Sequence, residues 1–176
     1  MSLMDNEQKY GLISSLFHWT MAILLFANYL LGSVVEDFEN NLFINMNLHM
    51  TLGCLIFLIG TLRLAWRFLN LEPQPIQQNR MLKKISNNIF ILFYSLIFLI
   101  PISGYALTNA DGYLVSFFGK DLYPVFHKSD LLEDFFEESH EILANLLLLL
   151  VALHVSAALY HKYIEKIDIF KRIGFR

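Results

Sequence analysis

Apolar residues along this chain collect into four runs, at about 12–35, 42–68, 89–107 and 141–160, separated by polar or charged breaks. Each run is near the roughly 20 residues that carry a helix across a bilayer. The pattern predicts an all-α fold: one transmembrane domain over residues 1–176, with four helices in a bundle and an outer loop over 108–140. The first run has no small-residue cleavage site and holds His18 and Asn28, so it reads as a retained span and not as a secretion signal.

Taken in order, residues 1–11 form a short polar lead-in. Span one places His18 about 9 Å inside its end, with Trp19 beside it as an interfacial belt residue. Asn28 has to face another helix or the polar edge of a cofactor, because lipid offers it no partner. Span two carries His49 about two turns in and Arg63 fourteen residues later. The linker NLEPQPIQQNR, with Pro73 and Pro75, cannot extend that helix. In span three Pro101 and Gly104 predict a kink. The aromatic and glycine-bearing stretch from Thr108 to His127 is long enough to fold back as a lid. Beyond it, Ser129 begins a helix start in which Asp130 and Glu133 are spaced as a capping pair, so that span four projects beyond the membrane as an acidic helix.

Composition agrees: 56% of the 176 residues are hydrophobic and 16% charged, with a mean hydropathy of +0.48, which marks a polytopic membrane protein and gives no expectation of nucleic acid as a partner. Cys54 is the single cysteine, which excludes internal disulfides, zinc knuckles and covalent CxxCH haem attachment. Lys9, Arg63, Arg67, Arg80, Lys83, Lys84, Lys162, Lys166, Lys171, Arg172 and Arg176 all flank one side, against Lys120 and Lys128 on the other. Both termini are therefore expected in the cytoplasm of a bacterial inner membrane. The outer loops are acidic, with Glu36, Asp37 and Glu39 in one and a run from Asp130 to Glu141 in the other, an asymmetry hidden by the net charge of -3.

Ionisable groups at membrane depth are costly and are functional hypotheses by default. His140 and His154 lie two heptads apart on span four, at the same interior position, separated along the axis by about 21 Å. Depth pairs His18 with His154 and His49 with His140. Two stacked pairs of imidazoles are what two bis-histidine b-type haems require. A flat macrocycle against a helix also needs a small residue one turn from its ligand. Four residues after these histidines come Ala22, Gly53, Ala144 and Ala158, whereas His127 is followed by Leu131 and His161 by Glu165. The competing reading is that the histidines hydrogen-bond across helices as polar glue, in a haem-free transporter or scaffold. Zinc fits less well, since the pairs are far apart and only Glu141 could add a further ligand.

Arg63 is too deep for a flanking charge. Its planar fork suits a haem propionate, and snorkelling to the surface is the alternative. His161, one heptad beyond His154, reads either as an interfacial residue or as part of a quinone site with Arg80 and Lys83, themselves equally readable as positive-inside flanks.

Those residues, with FHW, NLHMTLGCLIFLIGTLRLAWR, PISGY, DGYLVSFFG and SHEILANLLLLLVALHVSAALYHKY, resemble the bacterial cytochrome b561 family, itself similar to the cytochrome b subunits of nickel-iron hydrogenases. The resemblance covers essentially the whole chain. It implies two non-covalent b haems held by His18, His49, His140 and His154, and electron transfer between a donor at the outer, periplasmic face and ubiquinone or another quinone. Superoxide is the donor implied for members of this type; a cytochrome b subunit working with a basic periplasmic redox protein is the alternative. Two departures stand out. Ser86, Asn87 and Asn88 occupy a region where many members have a histidine, and the acidic outer face repels an anion such as superoxide.

Overall fold

The structure, a computed structural model, describes residues 2–35, 42–74 and 80–174, except the side chains at 34, 35 and 42–45. Glu36, Asp37, Glu39, Pro75 and Arg176, used above, lie outside the described residues. Four long helices run through it: α1 (Leu12–Val35), α2 (Leu42–Leu69), α3 (Arg80–Ala110) and α4 (Asp130–Tyr163). A two-stranded hairpin, β1 (Ser116–Phe117) and β2 (Lys120–Asp121), fills the α3–α4 connection, and a single helical turn, α5 (Phe170–Ile173), follows α4. Each long helix has the length and hydropathy to cross a bilayer, which makes this a multi-pass membrane protein.

Helix α1 packs on α2, α2 on α3, and α3 on α4. The circuit closes where the Tyr29 hydroxyl of α1 donates to Asn145 Oδ1 of α4 at 3.0 Å. Two apolar clusters hold the bundle at mid-depth. Met21, Ile56 and Ile97 join α1, α2 and α3, while Leu96, Leu147 and Leu150 join α3 to α4. Elsewhere the helices turn apolar side chains outward: Ile23, Phe26, Leu58, Leu149 and Leu153 are all exposed. Water would penalise such a surface, whereas lipid accommodates it.

Both later helices begin earlier than their apolar runs, α3 at Arg80 and α4 at Asp130. The expected capping pair does not form at α4, for Ser129 makes no side-chain cap. Its backbone N–H donates instead to Ala110 O at 2.9 Å, so the end of α3 anchors the start of α4. Asp130 and Glu133 in the first turn still complement the helix dipole.

The lid is tied to the bundle by a residue the sequence left unmarked. Asn109 is 2% exposed and its Oδ1 accepts the Val125 N–H at 2.8 Å. Val115 is buried, Thr51 Oγ1 of α2 donates to Ser116 O at 3.4 Å, and the Tyr105 hydroxyl donates to Tyr123 O. Phe118 and Gly119, with φ of 50° and 76°, make the two-residue turn between the strands, a conformation that suits glycine at its second position.

At the opposite end the polar lead-in is a structured cap. Asp5 is buried and accepts from Gly11 N at 2.6 Å and Ser14 Oγ at 2.7 Å, and Ser14 Oγ accepts from Trp66 Nε1 at 2.9 Å. Arg172 of α5 donates to Gln8 O and Gln74 O, joining both termini to the residues after α2. Trp19, expected as a membrane-belt residue, donates its indole N–H to Ile173 O at 3.1 Å within this cap.

Asp5→Ala removes an acceptor from two donors at once and should lower stability by roughly 1–3 kcal/mol, measured as thermal unfolding in detergent. Unchanged unfolding and unchanged proteolysis of the first ten residues would contradict this account of the cap.

Candidate cofactor site

Four histidine rings meet in two pairs between the helices, His18, His49 and His140 half-buried and His154 exposed. His18 of α1 stands 6.3 Å from His154 of α4, and His49 of α2 stands 6.1 Å from His140 of α4, centroid to centroid. One metal–imidazole bond is roughly 2 Å, so two in line put the ring nitrogens about 4 Å apart and the centroids roughly 6 Å apart. Both pairs have that spacing. Among the described residues no three His, Cys, Asp or Glu side chains gather around a point. A metal between either pair would therefore take its remaining ligands from a non-protein group.

Room for such a group exists. A cavity of about 2680 Å³ runs between the helices and is lined by all four histidines together with Ala22, Gly53, Ala144 and Ala158. Single-ligand sites are typically about 300–1,000 Å³, so the space exceeds what one ligand needs. At Gly53 a Cβ would meet nothing nearer than Asn28 Nδ2 at 3.9 Å, so this wall is open. Asn28 Oδ1 is buried without a protein partner.

Helix backbones set the ring orientations. His49 Nδ1 is 3.1 Å from the Asn28 carbonyl of α1, to which it donates. His140 Nδ1 lies 3.0 Å from both Ile100 O and Ser103 Oγ of α3, while the Ser103 hydroxyl donates to Ile100 O at 2.9 Å. With the hydrogen on Nδ1, the lone pair sits on Nε2, which is the arrangement for a neutral metal ligand. Close approach needs a missing side chain on the facing helix. A Cβ on Gly104 would fall 2.8 Å from His140 Cε1, and one on Gly32 would fall 3.0 Å from His49 Cε1. Gly104, expected to serve a kink beside Pro101, therefore also admits the His140 ring.

The other pair is built differently. Arg63 Nη2 donates to His18 Nδ1 at 3.2 Å, and its guanidinium lies 5.9 Å from the Tyr94 ring centre. The side chain is thus directed to the interior instead of snorkelling outward. Phe93 packs edge-on to His154 at 5.4 Å. Arg67 stacks over Phe90 and pairs with Glu72.

His161 does not approach either pair by a hydrogen bond; its Nδ1 is 2.6 Å from Glu165 Oε2, one turn on. Arg80 and Lys83 are exposed on the first turns of α3, and Lys83 and His161 both line the cavity. His127 is exposed in the loop. Ser103, Gly32, the Asn28 and Ile100 carbonyls and the role of Gly104 toward His140 escaped sequence reasoning, which looked for small residues along each ligand's own helix. The PISG segment was the available signal.

Comparison with known proteins points the same way. A profile described as "Prokaryotic cytochrome b561" matches residues 9–175. The chain is 30% identical to "Cytochrome b561 homolog 2" of Escherichia coli (strain K12), over 98% of this chain and 95% of that one. It is 31% identical to "Cytochrome b561 homolog 1" of the same organism, over 53% and 51% of the two chains.

Gly104→Ala should displace the His140 ring and destabilise the protein by roughly 1–3 kcal/mol through overpacking, whereas Gly53→Ala should leave thermal unfolding unchanged. Equal effects of the two substitutions would contradict the contrast drawn between a filled and an open wall.

Proposed function

The chain belongs to the prokaryotic cytochrome b561 family of membrane electron-transfer proteins with b-type haem, and on that premise we propose that it holds two b haems and passes electrons between a donor at the hairpin end and the membrane quinone pool. His49 and His140 would hold the iron of one haem, His18 and His154 that of the other. The observation that carries this reading is the repeated 6.1 and 6.3 Å separation of the paired rings within one cavity. Two imidazoles on each iron would leave it no open position, so the residues support outer-sphere electron transfer.

Arg63 has a role beside the His18 haem. If His18 held iron through Nε2, its Nδ1 would carry the hydrogen and could not accept from the guanidinium. Arg63 would then be free to hold a propionate, whose two oxygens match its fork. Both termini lie in the cytoplasm of the bacterial inner membrane, as the distribution of Lys and Arg supports. The quinone approaches at the end holding the termini, where His161 and Lys83 face the cavity and Arg80 is exposed on the first turn of α3.

Superoxide is the donor implied by the family resemblance, making the protein a superoxide:quinone oxidoreductase. A second reading is a cytochrome b subunit served by a basic periplasmic protein. Asp134, Glu137, Glu138 and Glu141 favour it, since all four are exposed on the outward part of α4.

Purified protein should be red, with a reduced b-type spectrum and about two haems per chain as family and geometry require. His140→Ala and His154→Ala should each remove about one of them, and His127→Ala none. A colourless preparation from haem-replete cells would instead favour a haem-free scaffold or transporter. For the donor, the sign of the salt effect decides: reduction by superoxide should quicken as salt screens the acidic face, whereas reduction by a basic protein should slow.

A further inference from the structure

We propose that Arg63 and the carboxylates of the hairpin end hold the two haems at different potentials, the His49–His140 site lower and the His18–His154 site higher. The inference rests on the two-haem reading above. An added electron makes a haem more negative, so a nearby cation favours the reduced state and a nearby anion the oxidised one. Inside a bilayer both effects are weakly screened.

The two ends of the cavity differ in sign. Around the His49–His140 pair the lining includes Asp111, Asp121, Glu133, Glu137 and Glu141; Lys120 and Lys128 stand at that end outside the lining, Lys128 pairing with Asp111 at 4.0 Å, so the excess there is acidic. Around the His18–His154 pair it includes Arg63, Arg67, Lys83 and Arg172. The lining carboxylates there are Asp5, Glu72 and Glu165; Glu72 and Arg67 offset each other as a pair, which leaves Arg63, Lys83 and Arg172 against Asp5 and Glu165. Arg63 is the cation nearest an imidazole, 3.2 Å from His18 Nδ1.

Ligand hydrogen bonding has the same sign. His49 donates to the Asn28 carbonyl, and His140 to Ile100 O and Ser103 Oγ, which raises the basicity of both imidazoles and favours the oxidised metal. His18 faces a cation instead. With its hydrogen on Nδ1, His18 meets in that guanidinium no acceptor to raise its basicity, so charge and ligand basicity both drive one electron from the hairpin end toward the termini. In that step the iron held by His49 and His140 is oxidised by one electron and the iron held by His18 and His154 is reduced by one; no bond or proton changes place. The electron enters from the one-electron donor at the hairpin end and leaves to a quinone, which takes two electrons and two protons.

The test is an equilibrium redox titration of the purified haem-loaded protein, followed by absorbance. Wild type should titrate in two separate one-electron steps. Arg63→Gln should move the upper step to more negative potential and leave the lower one in place, with Arg63→Lys close to wild type. Ser103→Ala should raise the lower step and alter the electron paramagnetic resonance signal of one ferric haem only. If Arg63→Gln loses haem, Glu137→Gln, an exposed and fold-neutral change, still decides the matter: an upward shift of the lower step supports the proposal and no shift overturns it. A red protein with two haems whose steps coincide, or in which Arg63→Gln moves the lower step, overturns the ordering while leaving the haem assignment intact. A colourless protein sinks the haem assignment itself.

Discussion

An imidazole placed in hydrocarbon has two ring nitrogens to satisfy, and that requirement shapes the bundle more than any apolar contact does. At His49 and His140 one nitrogen is met by a backbone carbonyl of a neighbouring helix, Asn28 O on α1 and Ile100 O on α3. The partner cannot move without moving its helix, so the tautomer is fixed by the fold. A ring reaching a facing backbone needs a glycine there, hence Gly32 and Gly104. Helix α3 has no histidine of its own, yet it becomes part of the site by holding one in place.

Packing serves the same end. The clusters around Met21, Ile56 and Ile97 and around Leu96, Leu147 and Leu150 lie between the two histidine pairs in helix register. They join the helices at mid-depth and leave the levels of the histidines open. On α2, His49, Ile56 and Arg63 are spaced by seven, so one interior stripe supplies a ring, a packing contact and a cation in turn. The caps at either end close the arrangement with polar contacts: Asn109 ties down the hairpin, while Asp5 and Arg172 tie the termini together.

Much of this was legible from spacing alone. Helix rise and heptad phase place His18 beside His154 and His49 beside His140, because both depend only on counting residues along stiff rods. The contribution of α3 was not legible, since it acts through a carbonyl, a hydroxyl and an absent side chain, none of which interrupts an apolar run. Asp5 and Asn109 were missed for a related reason. Each makes contacts distant from any helical period, within segments whose polarity reads as ordinary loop. The capping pair at Asp130 and Glu133 failed in the opposite sense: the helix starts where the pattern says, but a tertiary bond from Ser129 N to Ala110 O anchors the start in place of a local cap.

The acidic start of α4 bears on donor chemistry in two ways that combine differently for different donors. Carboxylates near a haem make it a weaker electron acceptor, whatever the donor. They also repel an anion before it arrives, so a small anionic donor meets both a lower encounter rate and a smaller driving force. A basic protein meets only the smaller driving force, and its attraction to Asp134, Glu137, Glu138 and Glu141 raises the encounter rate that the anion loses. The hairpin is fastened to α2, where Thr51 Oγ1 donates to Ser116 O. With outer-sphere transfer a donor need not enter, so a protein docked on the exposed α4 face loses nothing to the lid. Charge at this end is therefore the property to which the two proposed donors respond in opposite ways.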